Sequence, residues 1–100
     1  MRVRFTKRAQ ADLREIVAYI SQDRPDAARA LAGRIRKACH GLRANPRIGP
    51  VVREFGIDSI RERVVPPYRV VYQVGDTEIR ILTVVHGRTV LRPSVAPDQD

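Results

Sequence analysis

Ile60-Arg61-Glu62-Arg63-Val64-Val65-Pro66-Pro67-Tyr68-Arg69-Val70-Val71-Tyr72-Gln73-Val74 is the stretch that decides how this chain is read. Side chains on a strand point alternately to its two faces. Ile60, Glu62 and Val64 alternate here against Arg61, Arg63 and Val65, Pro66-Pro67 makes a break, and Tyr68 to Val74 resumes as a second strand. Gly75-Asp76-Thr77 supplies the next turn and Glu78 to Val85 a third strand. The three runs are rich in Val, Ile and Tyr, the residue types that suit a pleated sheet, and together they predict an antiparallel meander.

Toward the N-terminus the period changes. Arg47 to Gly56 holds two glycines and a proline with no helical repeat, so it reads as a connecting loop. Before it, Ala28, Leu31, Ile35, Ala38 and Leu42 recur at alternating steps of three and four, opened by Pro25-Asp26 and closed by Asn45-Pro46. Proline suits the first turn of a helix, and an acidic residue there complements the helix dipole. Earlier still, Ala9, Leu13, Ile16, Val17 and Ile20 share one helical face, with Arg8, Asp12, Arg14 and Glu15 outside it and Thr6 placed to cap the start. The link between the two helices is too short for anything but an antiparallel hairpin. Arg2-Val3-Arg4-Phe5 alternates as a short opening strand that turns Val3 and Phe5 to the core. The order strand, helix, helix, three strands predicts an α+β domain, with the helical hairpin on one face of an antiparallel sheet of about four strands. The other sheet face is expected to be partly open.

With 100 residues the chain has room for one core, and a domain of that size buries roughly two-thirds of the surface its unfolded chain exposes. The single cysteine, Cys39, cannot close an internal disulfide, and no long apolar run marks a signal peptide or membrane span, so a cytoplasmic protein is expected. Metal and nucleotide cofactors are not expected, because no Cys, His and carboxylate cluster has ligand spacing and no glycine-rich loop precedes a helix. The net charge of +8 calls for an acidic partner. Residues 1–50 hold 12 Lys or Arg against 4 acids and residues 51–100 hold 7 of each, so the excess belongs to the helical half.

Six fragments then stand in one order: Ala9-x-x-Asp12-Leu13-x-x-Ile16-x-x-Tyr19-Ile20, Pro25-x-Ala27-Ala28, Leu42-x-x-Asn45-Pro46-Arg47-x-Gly49, Ile60-Arg61-Glu62, Tyr68-Arg69-Val70-Val71-Tyr72-x-Val74 and Val84-Val85-His86-Gly87-Arg88. In type and order they resemble the ParE branch of the RelE/ParE type II toxins, over nearly the whole chain from about Val3 to Arg92. The resemblance implies a single toxin domain over residues 1–92; Pro93 to Asp100 mixes prolines with acidic residues and reads as a flexible tail. It also implies a microbial toxin-antitoxin module, in which a ParD-like or other type II antitoxin folds a tail around the domain.

The superfamily divides by target. The RelE branch resembles a ribosome-dependent messenger RNA endonuclease, with two lysines one residue apart on the strand before the Tyr-Arg pair, that pair's arginine, and an arginine after the last strand. Arg69 and Arg88 match the arginines, but the lysine positions hold Ile60 and Glu62, and Glu62 would repel a phosphate where a nuclease needs a cation. Cleavage through the 2′-hydroxyl also needs proton transfer, for which arginine is poorly suited and His86 is the one suitable side chain. A histidine at a strand end also reads as an ordinary hydrogen-bonding residue. The Ile60-Arg61-Glu62 and Val-His-Gly-Arg fragments resemble the ParE branch, which implies inhibition of DNA gyrase by binding, with no catalytic residue. The expected target contacts are Arg61, Arg69, His86, Arg88 and Arg92; the ribosome and mRNA with Arg69, His86 and Arg88 are the alternative. Arg61 and Glu62 also read as members of an exposed cross-strand salt bridge. Expected antitoxin contacts are Tyr19, Leu31, Arg34, Ile35 and Ala38, whose competing reading is burial in the hairpin's own core.

Overall fold

A computed structural model describes residues 1–92, and the expected tail at 93–100 lies outside the described residues. Six elements follow one another: β1 (Arg2–Phe5), α1 (Lys7–Ser21), α2 (Pro25–Gly41), β2 (Ile60–Val65), β3 (Tyr68–Val74) and β4 (Glu78–His86). Thr6 forms the corner between β1 and α1. Its hydroxyl accepts from the amide of Ala9 as the N-cap and donates to the carbonyl of Ile81, 2.8 Å away, so the helix start is tied to β4. Pro25 and Asp26 open α2 as expected, and the helix ends at Gly41, a turn before Asn45-Pro46. Among the described residues no helix is long and apolar enough to cross a membrane.

The four strands form one sheet in the order β1-β4-β3-β2. β2, β3 and β4 make the expected antiparallel meander, the Pro66-Pro67 turn between β2 and β3 containing a cis peptide. At the other edge the expectation of an antiparallel sheet is corrected, because β1 runs parallel to β4. A parallel pair needs a long crossover. Both helices, the loop and the β2–β3 hairpin lie between these two strands, so no local signal sets their relative direction.

The core between the hairpin and the sheet takes Leu13, Leu31, Ile35, Val70, Tyr72, Ile79 and Ile81. In the middle of the sheet the register slips, with Val71 opposite Thr83 and Tyr72 opposite Ile81, leaving Leu82 as an extra residue in β4. The Asp12 carboxylate on α1 reaches this bulge, accepting from the Thr83 hydroxyl and, at 3.0 Å, from the Val84 amide. Such a contact supplies partners that the irregular ladder leaves open.

The face away from the helices is not bare. Val52, Ile60, Val71, Leu82 and Leu91 form a second buried cluster, with Phe55 and Val85 against it. Its cover comes from the loop after α2 and from the segment after β4, neither of which has a regular period. The loop is stitched to the β2 edge by Val52 N–H to Ile60 O (2.9 Å) and Glu62 N–H to Pro50 O (3.0 Å). Gly49 comes closest of all. A Cβ there would stand 2.0 Å from the Glu62 carbonyl oxygen, so only glycine lets this loop lie flat on β2.

Candidate functional site

Strand alternation separates the side chains of β3. Tyr68, Val70 and Tyr72 pack toward the helices, while Val71 enters the second cluster and Arg69 shares that opposite face. Arg69 is only 8% exposed, so its charge must be met inside the protein. Its two terminal nitrogens make a fork onto Glu54, at 2.9 and 3.0 Å, and its Nε donates to Glu62 at 2.6 Å. One terminal nitrogen also donates to the carbonyl of Thr89, 2.9 Å away. Glu54 in turn accepts the Leu91 amide at 3.0 Å. The Arg69 hydrogen bonds, then the Leu91 amide, hold the Glu54 carboxyl down at about 2. Glu54 likewise pushes the Arg69 guanidinium above its ordinary range, with Glu62 adding to it.

These three charges line a cleft of about 680 Å³ between the loop, β2 and the segment after β4, with Arg69 buried and Glu54 nearer the mouth. Its walls include Arg53, Val64, Arg88 and Val90. Val64 and Val90 are 60% and 75% exposed. Neither Arg53 nor Arg88 has a carboxylate partner among the described residues.

The expected target contacts are not brought together as a set. Arg69 and Arg88 both line the cleft, and Arg92 is exposed just beyond it. His86 pairs in register with Tyr68, on the helix side of the sheet, the two rings edge to face at 6.0 Å. Its Nδ1 accepts the Arg88 amide at 3.2 Å. Arg69 lies opposite Val85, so histidine and arginine leave the sheet on different faces. Arg61 fastens the loop instead of facing outward, donating to Asp58 Oδ1 and to the carbonyls of Asp58 and Gly49. The exposed cross-strand salt bridge read from Arg61-Glu62 holds in part: Glu62 does pair across the strands, with Arg69, but at 16% exposed it is not a surface pair, and Arg61 pairs with Asp58 in the loop instead.

Among the expected antitoxin contacts, Leu31 and Ile35 are 4% and 0% exposed and belong to the main core, which removes both from any partner surface. Tyr19 is 75% exposed, Arg34 is exposed and Ala38 half-buried. Ala38 and Arg34 line a groove with Lys37, Ile48 and Arg63 beside β2, and a second groove, with Leu13, Val17, Arg14 and Arg36, runs beside Phe5 of β1. Among the described residues no three His, Cys, Asp or Glu side chains converge as metal ligands. Arg53, Glu54 and Val90 escape a reading of the sequence, because each stands in a segment with no period and belongs to no motif; Val64 stands beside Arg69 because the two pair in register across the β2–β3 hairpin.

The chain matches, over residues 3–91, the model of a family described as the ParE toxin of the type II toxin-antitoxin system parDE. It is 41% identical over 88 residues to the candidate toxin Y4kP of Sinorhizobium fredii, covering 86% of this chain and 88% of that one. It is 37% identical over 84 residues to Toxin RelE2 of Caulobacter vibrioides, covering 83% of this chain and 91% of that one. Among solved structures, the fold is similar to a chain of the chromosomal ParDE system of P. aeruginosa, with a TM-score of 0.72 and 22% identity over 86% of this chain and 95% of that one. It is also similar to a chain of the toxin-antitoxin complex RelBE2 of Mycobacterium tuberculosis, with a TM-score of 0.61 and 25% identity over 85% and 95%.

Proposed function

From the premise that this chain belongs to the ParE toxin family of type II toxin-antitoxin systems, we propose that it stops growth by binding DNA gyrase, and that it cleaves no RNA. The observation that carries this reading is the state of Arg69. A ribonuclease on this scaffold would need that guanidinium free to meet the scissile phosphate. Here it is forked onto Glu54 and paired with Glu62, so the position carries one positive charge against two negative ones. His86, the one side chain suited to proton transfer, leaves the sheet on the other face. Charge stabilisation and proton transfer are thus held apart, which suits a protein that acts by contact.

An antitoxin is the partner that family membership supplies. Its acidic or apolar tail has two places to lie, the grooves that flank the helical hairpin, both rimmed by arginine. Tyr19, Arg34 and Ala38 remain the proposed contacts. Coupled folding of a disordered tail onto such grooves gives a large interface from a short segment.

The experiment is a pulse of expression without antitoxin in the native host, following labelled thymidine and labelled methionine through the first minutes. DNA synthesis is expected to fall first, and purified gyrase to accumulate cleaved DNA when the protein is added. An earlier fall in protein synthesis would overturn the gyrase reading and return Arg69, His86 and Arg88 to scrutiny as nuclease residues.

A further inference from the structure

Residues 87–91 form a strap that belongs to no helix or strand, yet they close one side of the cleft. At its start Gly87 donates to the carbonyl of Pro67 at 2.8 Å. At its far end two bonds hold it, from Arg69 to the Thr89 carbonyl and from the Leu91 amide to Glu54. Both run through the same ion pair. Between those two anchors Val90 is turned out, 75% exposed, and across the cleft stand Val64 and Arg53. Two exposed valines flanked by two arginines that have no carboxylate partner among the described residues offer apolar area and positive charge together, the composition that a protein surface with apolar side chains between carboxylates would cover.

We propose that Glu54 is a positioning residue for target recognition: by holding Arg69 and the Leu91 amide together it fixes the strap, so that Arg88 and Val90, with Arg53 and Val64, form the surface that meets the target protein. The proposal rests on the toxin reading and deepens it. Glu54 touches no target itself. Its removal leaves Glu62 to neutralise Arg69 and leaves the Leu91 side chain packed with Val52, Ile60, Val71 and Leu82, so that what is lost is the tie on the Leu91 amide and on Arg69, and not the second cluster. The helical face, where the antitoxin grooves lie, is on the other side of the sheet.

Four quantities test it: amide exchange at Leu91, potency of growth arrest in the host, poisoning of purified gyrase, and affinity for the antitoxin. Glu54→Ala is expected to speed Leu91 exchange and to lower potency by about tenfold or more, the size expected when hydrogen bonds to a charged group are lost. Antitoxin affinity should stay within about threefold of the parent, less than 1 kcal/mol. Glu54→Gln keeps the shape and one acceptor, and is expected to recover part of the potency. Val64→Ser with Val90→Ser should lower potency while Leu91 exchange stays at the parental rate. Parental potency in Glu54→Ala despite fast Leu91 exchange would overturn the proposal and leave the toxin reading standing. An equal loss of antitoxin affinity would reduce Glu54 to a structural role and overturn it as well. If the parent arrests growth without poisoning gyrase, while these variants lose the arrest, the gyrase reading fails and the positioning role is upheld.

Discussion

Gly49→Ala tests how the second layer is fastened. The added Cβ would lie 2.0 Å from the Glu62 carbonyl oxygen, 2.9 Å from its carbon and 3.0 Å from the Tyr72 hydroxyl. Carbon atoms rest about 3.5–4.0 Å apart, and oxygen little closer, so the loop must retreat by more than about 1 Å. The carbonyl cannot turn away, because it belongs to β2 and β2 is paired to β3. Retreat pulls the Gly49 amide from the Tyr72 hydroxyl, now 3.1 Å away, and strains the two backbone bonds that stitch the loop to β2. One such bond lost costs about 1 kcal/mol, and a buried hydroxyl without its donor about 1–3 kcal/mol, giving roughly 3 kcal/mol in all. In a domain of this size that lowers the Tm by roughly 12–24 °C. Circular dichroism through thermal and urea unfolding reads it. Gly33→Ala and Gly41→Ala are the controls, since a Cβ on either meets nothing within 4 Å. On α2 they should leave stability unchanged or raise it by up to about 1 kcal/mol. A Gly49→Ala protein melting within about 3 °C of the parent would refute the argument, because the close approach would then relax at almost no cost.

Three further outcomes follow from the same structure. Glu54 is held at about 2 against an ordinary 4.5, so its contribution is present at neutral pH and is lost as pH falls from about 5 toward 2. A full shift of that size is about 3.4 kcal/mol, and exposure at the cleft mouth reduces it to about 2; urea unfolding against pH should show this slope in the parent and lose it in Glu54→Gln, and parallel curves would contradict it. Ile35→Ala should cost about 2–5 kcal/mol as a core truncation, while Tyr19→Ala should move stability by no more than about 0.5 kcal/mol and weaken antitoxin binding by calorimetry; a parental Ile35→Ala stability would return that residue to the surface. The Cys39 thiol, 1% exposed and pushed up to about 12 by burial, should resist iodoacetamide at pH 8 until urea unfolds the chain, and fast labelling of the native protein would speak against its buried place.

The elements were legible because each repeats at its own period. Leu31 and Ile35 recur at helical spacing, and that recurrence marks a core-facing stripe; the same regularity that locates the helix also argues against offering those residues to a partner. The direction of β1 was not legible, since alternation of Val3 and Phe5 fixes which face is buried and says nothing about polarity relative to β4. Nor was the second layer. Val52, Phe55 and Leu91 stand in segments with no period, and they become a cluster only after Gly49 lets the loop lie against β2. Asp12 falls outside the apolar face of α1 in the sequence, yet its carboxylate answers the open donors at the β4 bulge. A bulge depends on how two distant strands pair, and α1 carries no trace of it.

Arg69 shows the same limit at the site. Likeness to the nuclease branch marks its position as a place for phosphate, and the arginine is indeed present. What decides its role is fifteen residues away, in a loop, where Glu54 closes the guanidinium fork. For a phosphate to reach Arg69, that fork and the bond to Glu62 would have to open, each hydrogen bond to a charged group being worth about 1.5–3 kcal/mol. The incoming anion would also meet two released carboxylates beside it, and like charges a few ångströms apart repel strongly where water is scarce. Opening the fork would in addition free the Thr89 and Leu91 anchors and loosen the strap. On the proposed reading Arg69 is a strut, tied to Glu54, Glu62 and Thr89. Of the cations that line the cleft, Arg53 and Arg88 have no carboxylate partner among the described residues and stand beside two exposed valines, as the proposed contact with another protein requires.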